Sequence, residues 1–205
     1  MGVVAMRKIH FVKMHGAGND FVMIDDRAGD FPADDYMRVA AMATRRYGIG
    51  CEGVILVQKS DVADFRMRFF NPDGSEAELC GNGARCVAAF AREIGAAKSD
   101  RMTFETIAGT IAAEIVDASL VRIAMPQPRD FGDDFVVEGV PHKIVVVENL
   151  AKTDVETEGR RIRMSSEFAP AGTNVDFVVY RSPNRVTIRT YEHGVEAETG
   201  ACGTG

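Results

Sequence analysis

At 205 residues the chain is long enough for one large domain or two small ones, each able to bury a real core. With 46% hydrophobic and 26% charged residues it has the composition of an ordinary globular protein, and a net charge of -6 without any basic run argues against a nucleic-acid partner. No apolar run reaches the roughly 20 residues that span a bilayer, and the N-terminal stretch has no long hydrophobic region or small-residue cleavage site, so no membrane association and a cytoplasmic location are expected.

In chain order, Ile9 to Met14 and Asp20 to Asp25 read as short strands, separated by the glycine-bearing HGAGN. Pro32 to Tyr47 has a helical pattern: Asp34 and Asp35 suit its first turn, Tyr36, Val39, Ala40 and Ala43 share a face, and Gly48 closes it. GVILVQK and FRMRFFN follow as strands. NPDGSE (Asn71 to Glu76) is a turn, because Pro presets one backbone angle and Asp-Gly permits a tight reversal. After Cys80-Gly81-Asn82-Gly83 comes Ala84 to Ala97, in which Arg85, Arg92 and Glu93 form only a narrow polar stripe. A helix apolar round most of its circumference belongs in an interior. With strands before and after it, the expectation is a sheet wrapped around a central helix that Gly95 terminates.

MTFETIA, TIAAEIV and LVRIAMP continue as strands, and MPQPRD (Met125 to Asp130), with two prolines, reads as a linker. FVVEGVPHKIVVVEN, RIRMSS, VDFVVYR and RVTIRTYE repeat the β-rich style, the last two joined by Ser182-Pro183-Asn184. The chain reaches a second Cys-Gly-x-Gly at Cys202-Gly203-Thr204-Gly205. The predicted fold class is α+β, with two pseudo-symmetric domains, 1–125 carrying Cys80 and 126–205 carrying Cys202. Each is a mixed or antiparallel sheet around a central helix. The second is expected to be incomplete, the chain being truncated before that helix, which leaves apolar sheet surface uncovered.

The cysteines are Cys51, Cys80, Cys86 and Cys202. No C-x-x-C occurs and no His follows at zinc-like spacing, which disfavours a metal site; a cytosolic chain of this size needs no disulfides. They are packing residues or reactive ones. A cysteine followed by glycines at a helix start has chemistry available to it. The first N–H groups of a helix lack internal partners and the macrodipole is positive there. A thiol so placed has its pKa lowered, and the same N–H groups can hold a carboxylate, with glycine permitting close approach. Two such motifs facing each other would grip one carboxylate and set a sulfur on either side of its α-carbon. One thiolate would remove the proton and the opposite thiol would return another, inverting the centre. Buried packing is the alternative for each cysteine.

Four stretches carry a specific resemblance: HGAGNDF (His15 to Phe21), FFNPDGSEAELCGNGARC (Phe69 to Cys86), GTNVDF (Gly172 to Phe177) and ETGACGTG (Glu198 to Gly205). In order and spacing they resemble the diaminopimelate epimerase family, whose members continue past the second cysteine motif. The resemblance implies two pseudo-symmetric α/β domains and a small-molecule amino-acid substrate. It implies interconversion of LL- and meso-diaminopimelate for lysine and peptidoglycan synthesis, without pyridoxal phosphate, metal or any other cofactor. A homodimer is compatible with it. It assigns Cys80 and Cys202 as the catalytic thiols, and the N–H groups of Gly81, Asn82, Gly203 and Thr204 to the reacting carboxylate. Asn19, Asn71 and Asn174 become substrate-binding amides, Glu192 the carboxylate on the reacting amino group, and His142 a residue that sets a thiol's protonation. Two positions depart from the family pattern at the substrate's distal end: His193 where an arginine is usual, and Val140 where asparagine often precedes Pro-His. A racemase of another amino acid, such as histidine, therefore stays open. So does a thiol-redox protein with a Cys80–Cys202 disulfide.

Overall fold

The apolar runs at the start of the chain become β1 (Val12–Gly16) and β2 (Asn19–Asp25) in the computed structural model, which describes residues 8–125, 127, 129–131, 134–137, 140–170 and 172–203. Ala17 and Gly18 turn the chain between them at φ 54° and 89°, the positive angles that a two-residue hairpin loop of this kind requires. Helix α1 (Tyr36–Ala43) covers only the middle of the helix predicted from Pro32 to Tyr47. Asp35 lies outside its first turn as the N-cap, accepting from Arg38 N. At the other end Thr44 leaves helical geometry and donates its hydroxyl to Ala40 O. A side chain that satisfies the backbone locally competes with another helical turn.

The chain continues through β3 (Gly53–Gln58), β4 (Phe65–Phe70), β5 (Glu76–Ala77), α2 (Gly81–Glu93), β6 (Arg101–Thr106), β7 (Gly109–Asp117) and β8 (Leu120–Ile123). These build one mixed sheet in the order β1-β2-β3-β4-β6-β7-β8, with β5 also on β4. The pairs β2/β3 and β4/β6 are parallel. Alternation along β3 serves two cores: Ile55 and Val57 face a cluster with α2, while Val54 and Leu56 face one with α1. Helix α2 packs against β1, β3, β4, β7 and β8, and Ala84, Val87, Ala88 and Ala91 are fully buried. This is the predicted central helix. Gly95 follows it at φ 70°, and Ala96 N–H returns to Ala91 O at 2.8 Å, closing the C-terminus.

A second sheet has the order β14-β13-β12-β11-β10-β9. Its strands are β9 (Arg129–Phe131), β10 (Asp134–Val137), β11 (Val140–Val146), β12 (Asn174–Ser182), β13 (Arg185–Glu192) and β14 (Ala197–Thr199). Strand β9 begins inside the segment expected to be a linker. Between β11 and β12 lie a 3-10 turn, Leu150–Lys152, and helix α3 (Val155–Arg163). RIRMSS is therefore not a strand, since its first three residues end α3. Asp154 caps that helix on Thr157 N, with Glu156 and Glu158 in the first turn and Arg160, Arg161 and Arg163 in the last, the order of charges that the macrodipole favours. Val155 and Ile162 of α3 join Leu150, Val175, Phe177 and Tyr191 in a core on one face of the sheet. Val146, Tyr180, Val186 and Ile188, on the other face, are at least 40% exposed.

The chain divides into two units, Met1–Gly16 with Asp20–Ile123, and Ala17–Asn19 with Ala124–Gly205. Their element orders match. In each, a strand, a helix and a parallel strand (β2-α1-β3; β11-α3-β12) lead to an antiparallel strand (β4; β13) and a short strand beside it (β5; β14). Among the described residues no helix is long and apolar enough to cross a membrane.

Candidate active site

In the first unit, an ion pair fixes the approach to Cys80. Arg68 on β4 grips Glu76 on β5 through two hydrogen bonds of 2.8 Å, a bidentate geometry that holds direction as well as charge. Four residues beyond Glu76, Cys80 is the N-cap of α2, and its sulfur accepts from Gly83 N–H at 3.5 Å. Its carbonyl takes Ala84 N–H at 2.7 Å. Helix geometry gives the amides of Gly81 and Asn82 no carbonyl inside the helix. Positive partial charge at such an end favours thiolate over thiol.

Close packing holds that end in place. A Cβ on Gly16 would stand 2.9 Å from the backbone oxygen of Asn82, so the helix start sits against β1 as only glycine allows, and one on Gly83 would press on the far end of the Ile55 side chain of β3 at 2.8 Å. Asn82 is 2% exposed and its Oδ1 takes a hydrogen bond from Arg85. Asn71 opens the turn before β5: its N–H meets Ser75 O at 2.8 Å and its Nδ2 donates to Ser75 Oγ at 3.1 Å. Asn19 starts β2 and is half-buried.

The second unit repeats the ion pair. Arg189 on β13 binds Glu198 on β14 with two contacts of 2.6 Å, and Cys202 again follows four residues later. The Arg189 guanidinium holds the Glu198 carboxyl below the ordinary carboxylate range. Cys202 and Gly203 lie beyond β14 outside any regular element, and Cys202 is half-buried. Thr204 lies outside the described residues, as does the side chain of Val140.

Further into the same sheet, the β11/β12 register sets His142 across from Asn174. The β12/β13 ladder pairs Asp176 with Thr190; carried two residues further, it brings Glu192 opposite Asn174. His142 Nδ1 is 2.8 Å from Asp176 Oδ2, Thr190 Oγ1 donates to Asp176 Oδ1 at 2.7 Å, and Asn174 Nδ2 is 3.2 Å from His142 Nε2. His193 N–H donates to Asn174 Oδ1 at 2.7 Å, although the His193 side chain is exposed. The structure thus joins His142, Asn174 and His193, three residues singled out from the sequence, in one hydrogen-bonded chain that two others, Asp176 and Thr190, extend. One signal was available: an aspartate two residues after Asn174 in an otherwise apolar strand falls on the same face.

The remaining cysteines are packing residues. Burial pushes the Cys86 thiol up to about 11 and raises that of Cys51, and the two are 4% and 3% exposed. Iodoacetamide at neutral pH is expected to label Cys80 and Cys202 in the folded protein, and Cys51 and Cys86 only after denaturation. Peptide mass mapping reads this directly, and rapid native labelling of Cys86 would contradict it.

The family model described as diaminopimelate epimerase matches residues 11–129 and 135–205. A diaminopimelate epimerase of Chlorobaculum tepidum is 46% identical, over 94% of this chain and 78% of that protein. One from Aquifex aeolicus is 42% identical, over 96% and 78%. Among solved structures, a hydroxyproline epimerase from Agrobacterium vitis, with trans-4-hydroxy-L-proline bound, superposes with TM-score 0.62 at 18% identity, over 95% of this chain and 73% of that one. A PhzF-family phenazine biosynthesis protein from Bacillus anthracis gives 0.63 at 19%, over 95% and 75%. These two likenesses speak to the fold.

Proposed function

The chain belongs to the diaminopimelate epimerase family, and from that premise we propose that it interconverts LL- and meso-diaminopimelate by proton exchange at one α-carbon, with Cys80 and Cys202 as opposed base and acid. The observation that carries this reading is Cys80 as a sulfur N-cap, on a helix end whose first amides can receive a carboxylate. In the reaction, one sulfur as thiolate takes the α-proton and becomes a thiol. The electron pair stays on the α-carbon, delocalised into the carboxylate. The opposite thiol then delivers its proton to the other face and becomes the thiolate, so each turnover leaves the pair ready for the reverse direction.

The amides of Gly81 and Asn82, and of Gly203 and Thr204, are assigned to the carboxylate on which negative charge grows, where fixed donors act most strongly. Glu192 is assigned to the reacting ammonium group. Asn19, Asn71 and Asn174 serve as binding amides. Asn174 already uses one lone pair and one N–H inside the protein, and an amide has two of each, so one donor and one acceptor remain for a zwitterion. Family membership favours diaminopimelate over histidine at the distal end and favours epimerisation over thiol redox chemistry.

The test is isotopic. Incubated with either epimer in deuterium oxide, the enzyme is expected to place deuterium at the α-carbon of the product while early samples of recovered substrate stay unlabelled. Equal labelling of substrate and product from the outset points to a single base and overturns the two-thiol reading. Inversion of histidine, glutamate or lysine in preference to diaminopimelate would overturn the substrate.

A further inference from the structure

His142, Asp176, Asn174 and Thr190 are 1%, 1%, 3% and 4% exposed, and the direction of every hydrogen bond among them can be deduced. The His193 backbone N–H can only donate, so the Asn174 atom it meets at 2.7 Å is the carbonyl oxygen. That fixes the amide nitrogen as the atom facing His142 Nε2. An amide nitrogen has hydrogens and no accessible lone pair, so Nε2 has to accept. A neutral imidazole has one N–H, and here it resides on Nδ1, directed at Asp176 Oδ2. Thr190 donates to the other Asp176 oxygen and braces the carboxyl group.

We infer that Asp176, held by Thr190, is a positioning residue for the epimerisation proposed above: it fixes His142 as the Nδ1–H tautomer and, through the ring, the orientation of the Asn174 amide. Burying a carboxylate beside an imidazole is expensive compared with an apolar pair of similar volume. What the polar chain supplies instead is orientation. Asn174 is shared between β12 and the chain turning out of β13, beside Glu192, so a rotated amide presents donors where acceptors belong. The partners of a functional imidazole choose its tautomer in this way elsewhere.

The inference rests on the epimerase reading for its kinetic part only. Asp176→Asn keeps the shape but not the charge: its oxygen can accept from Nδ1–H only if its nitrogen turns onto Thr190 Oγ1, which then has to accept instead of donate. In the other orientation the nitrogen faces Nδ1, the ring proton moves onto Nε2, and Asn174 must rotate and give up the His193 N–H. The expected results are a shift of the 15N spectrum of His142, identified by its loss in His142→Gln, toward the Nε2-protonated form, and a fall in kcat/KM on the order of 10- to 100-fold per folded molecule. Thr190→Val should keep the wild-type tautomer and lose less than tenfold. A wild-type His142 protonated at Nε2 overturns the inference without any variant, which covers an Asp176→Asn protein that does not fold. So does a folded Asp176→Asn protein with kcat/KM unchanged, since Asp176 would then have only a structural role. If the wild type labels no amino acid in deuterium oxide, the epimerase reading fails alone, and the nitrogen shifts still decide what Asp176 does to His142.

Discussion

Cys80→Ala and Cys202→Ala are each expected to abolish inversion while keeping opposite halves of the proton chemistry. A positioned acid or base contributes roughly 10²- to 10⁴-fold, so inversion should fall by on the order of 10³-fold, about 4 kcal/mol of barrier. On the proposed mechanism the remaining thiol still stands on one face of the α-carbon. Given the epimer whose proton faces it, that thiol can remove the proton, exchange it with solvent and return it to the same face. Each variant should therefore wash deuterium into one epimer without inverting it, and the two variants should prefer opposite epimers. Chiral chromatography with mass detection of the α-carbon label reads both quantities. Exchange of both epimers by one variant, or inversion by either above a hundredth of the wild-type rate, would mean that another group reaches the second face.

A large stability effect is expected at Gly74. This residue ends the turn after Asn71 at φ 89°, and a Cβ there would lie 2.2 Å from the backbone oxygen of Tyr36 at the start of α1. Placing a side chain in left-handed backbone costs about 1–2 kcal/mol. Here the clash is with main chain, which cannot rotate away as a side chain does, and forced backbone shifts add about 1–3 kcal/mol. Gly74→Ala is thus expected to destabilise by about 3 kcal/mol, lowering Tm by roughly 6–12 °C in a chain of this size. Gly95→Ala is the control. Its φ of 70° carries the same strain, yet nothing lies within 4 Å of its Cβ, so only the backbone cost of about 1–2 kcal/mol is expected. Differential scanning calorimetry on the pair separates the two contributions. Equal losses would show that the approach to Tyr36 is not what makes Gly74 glycine.

Much of this could be read from the chain itself because its signals are local. FRMRFF alternates, and β4 is buried at Phe65, Met67 and Phe69. The residues after Cys80 are apolar almost all round, and α2 is buried accordingly. Helix α3 escaped because it has hardly any apolar stripe. Only Val155 and Gly159 are buried on it, and it meets the sheet through a glycine whose Cβ would stand 2.4 Å from Tyr191. Close contact made by the absence of a side chain leaves no hydrophobic periodicity, and glycine counts against a helix by propensity. At the candidate site, the cysteines announced themselves by a repeated motif. Asp176 did not, because what matters about it is a partner 34 residues away. Their meeting depends on the parallel register of β11 with β12, which no spacing within either strand encodes.

Strand β3 has apolar neighbours on both of its faces: one set of its side chains meets α1, the other meets the helix that presents Cys80. Most strands have a side on which substitutions are of little consequence, and lineages can wander there. β3 has none, since Gly53 to Val57 are all buried. A polar replacement at any of these positions falls into one interior or the other, and a change of volume is felt by a helix either way. Over long divergence this stretch is expected to be confined to exchanges among apolar residues of similar size, with the variation that adapts the protein accumulating elsewhere.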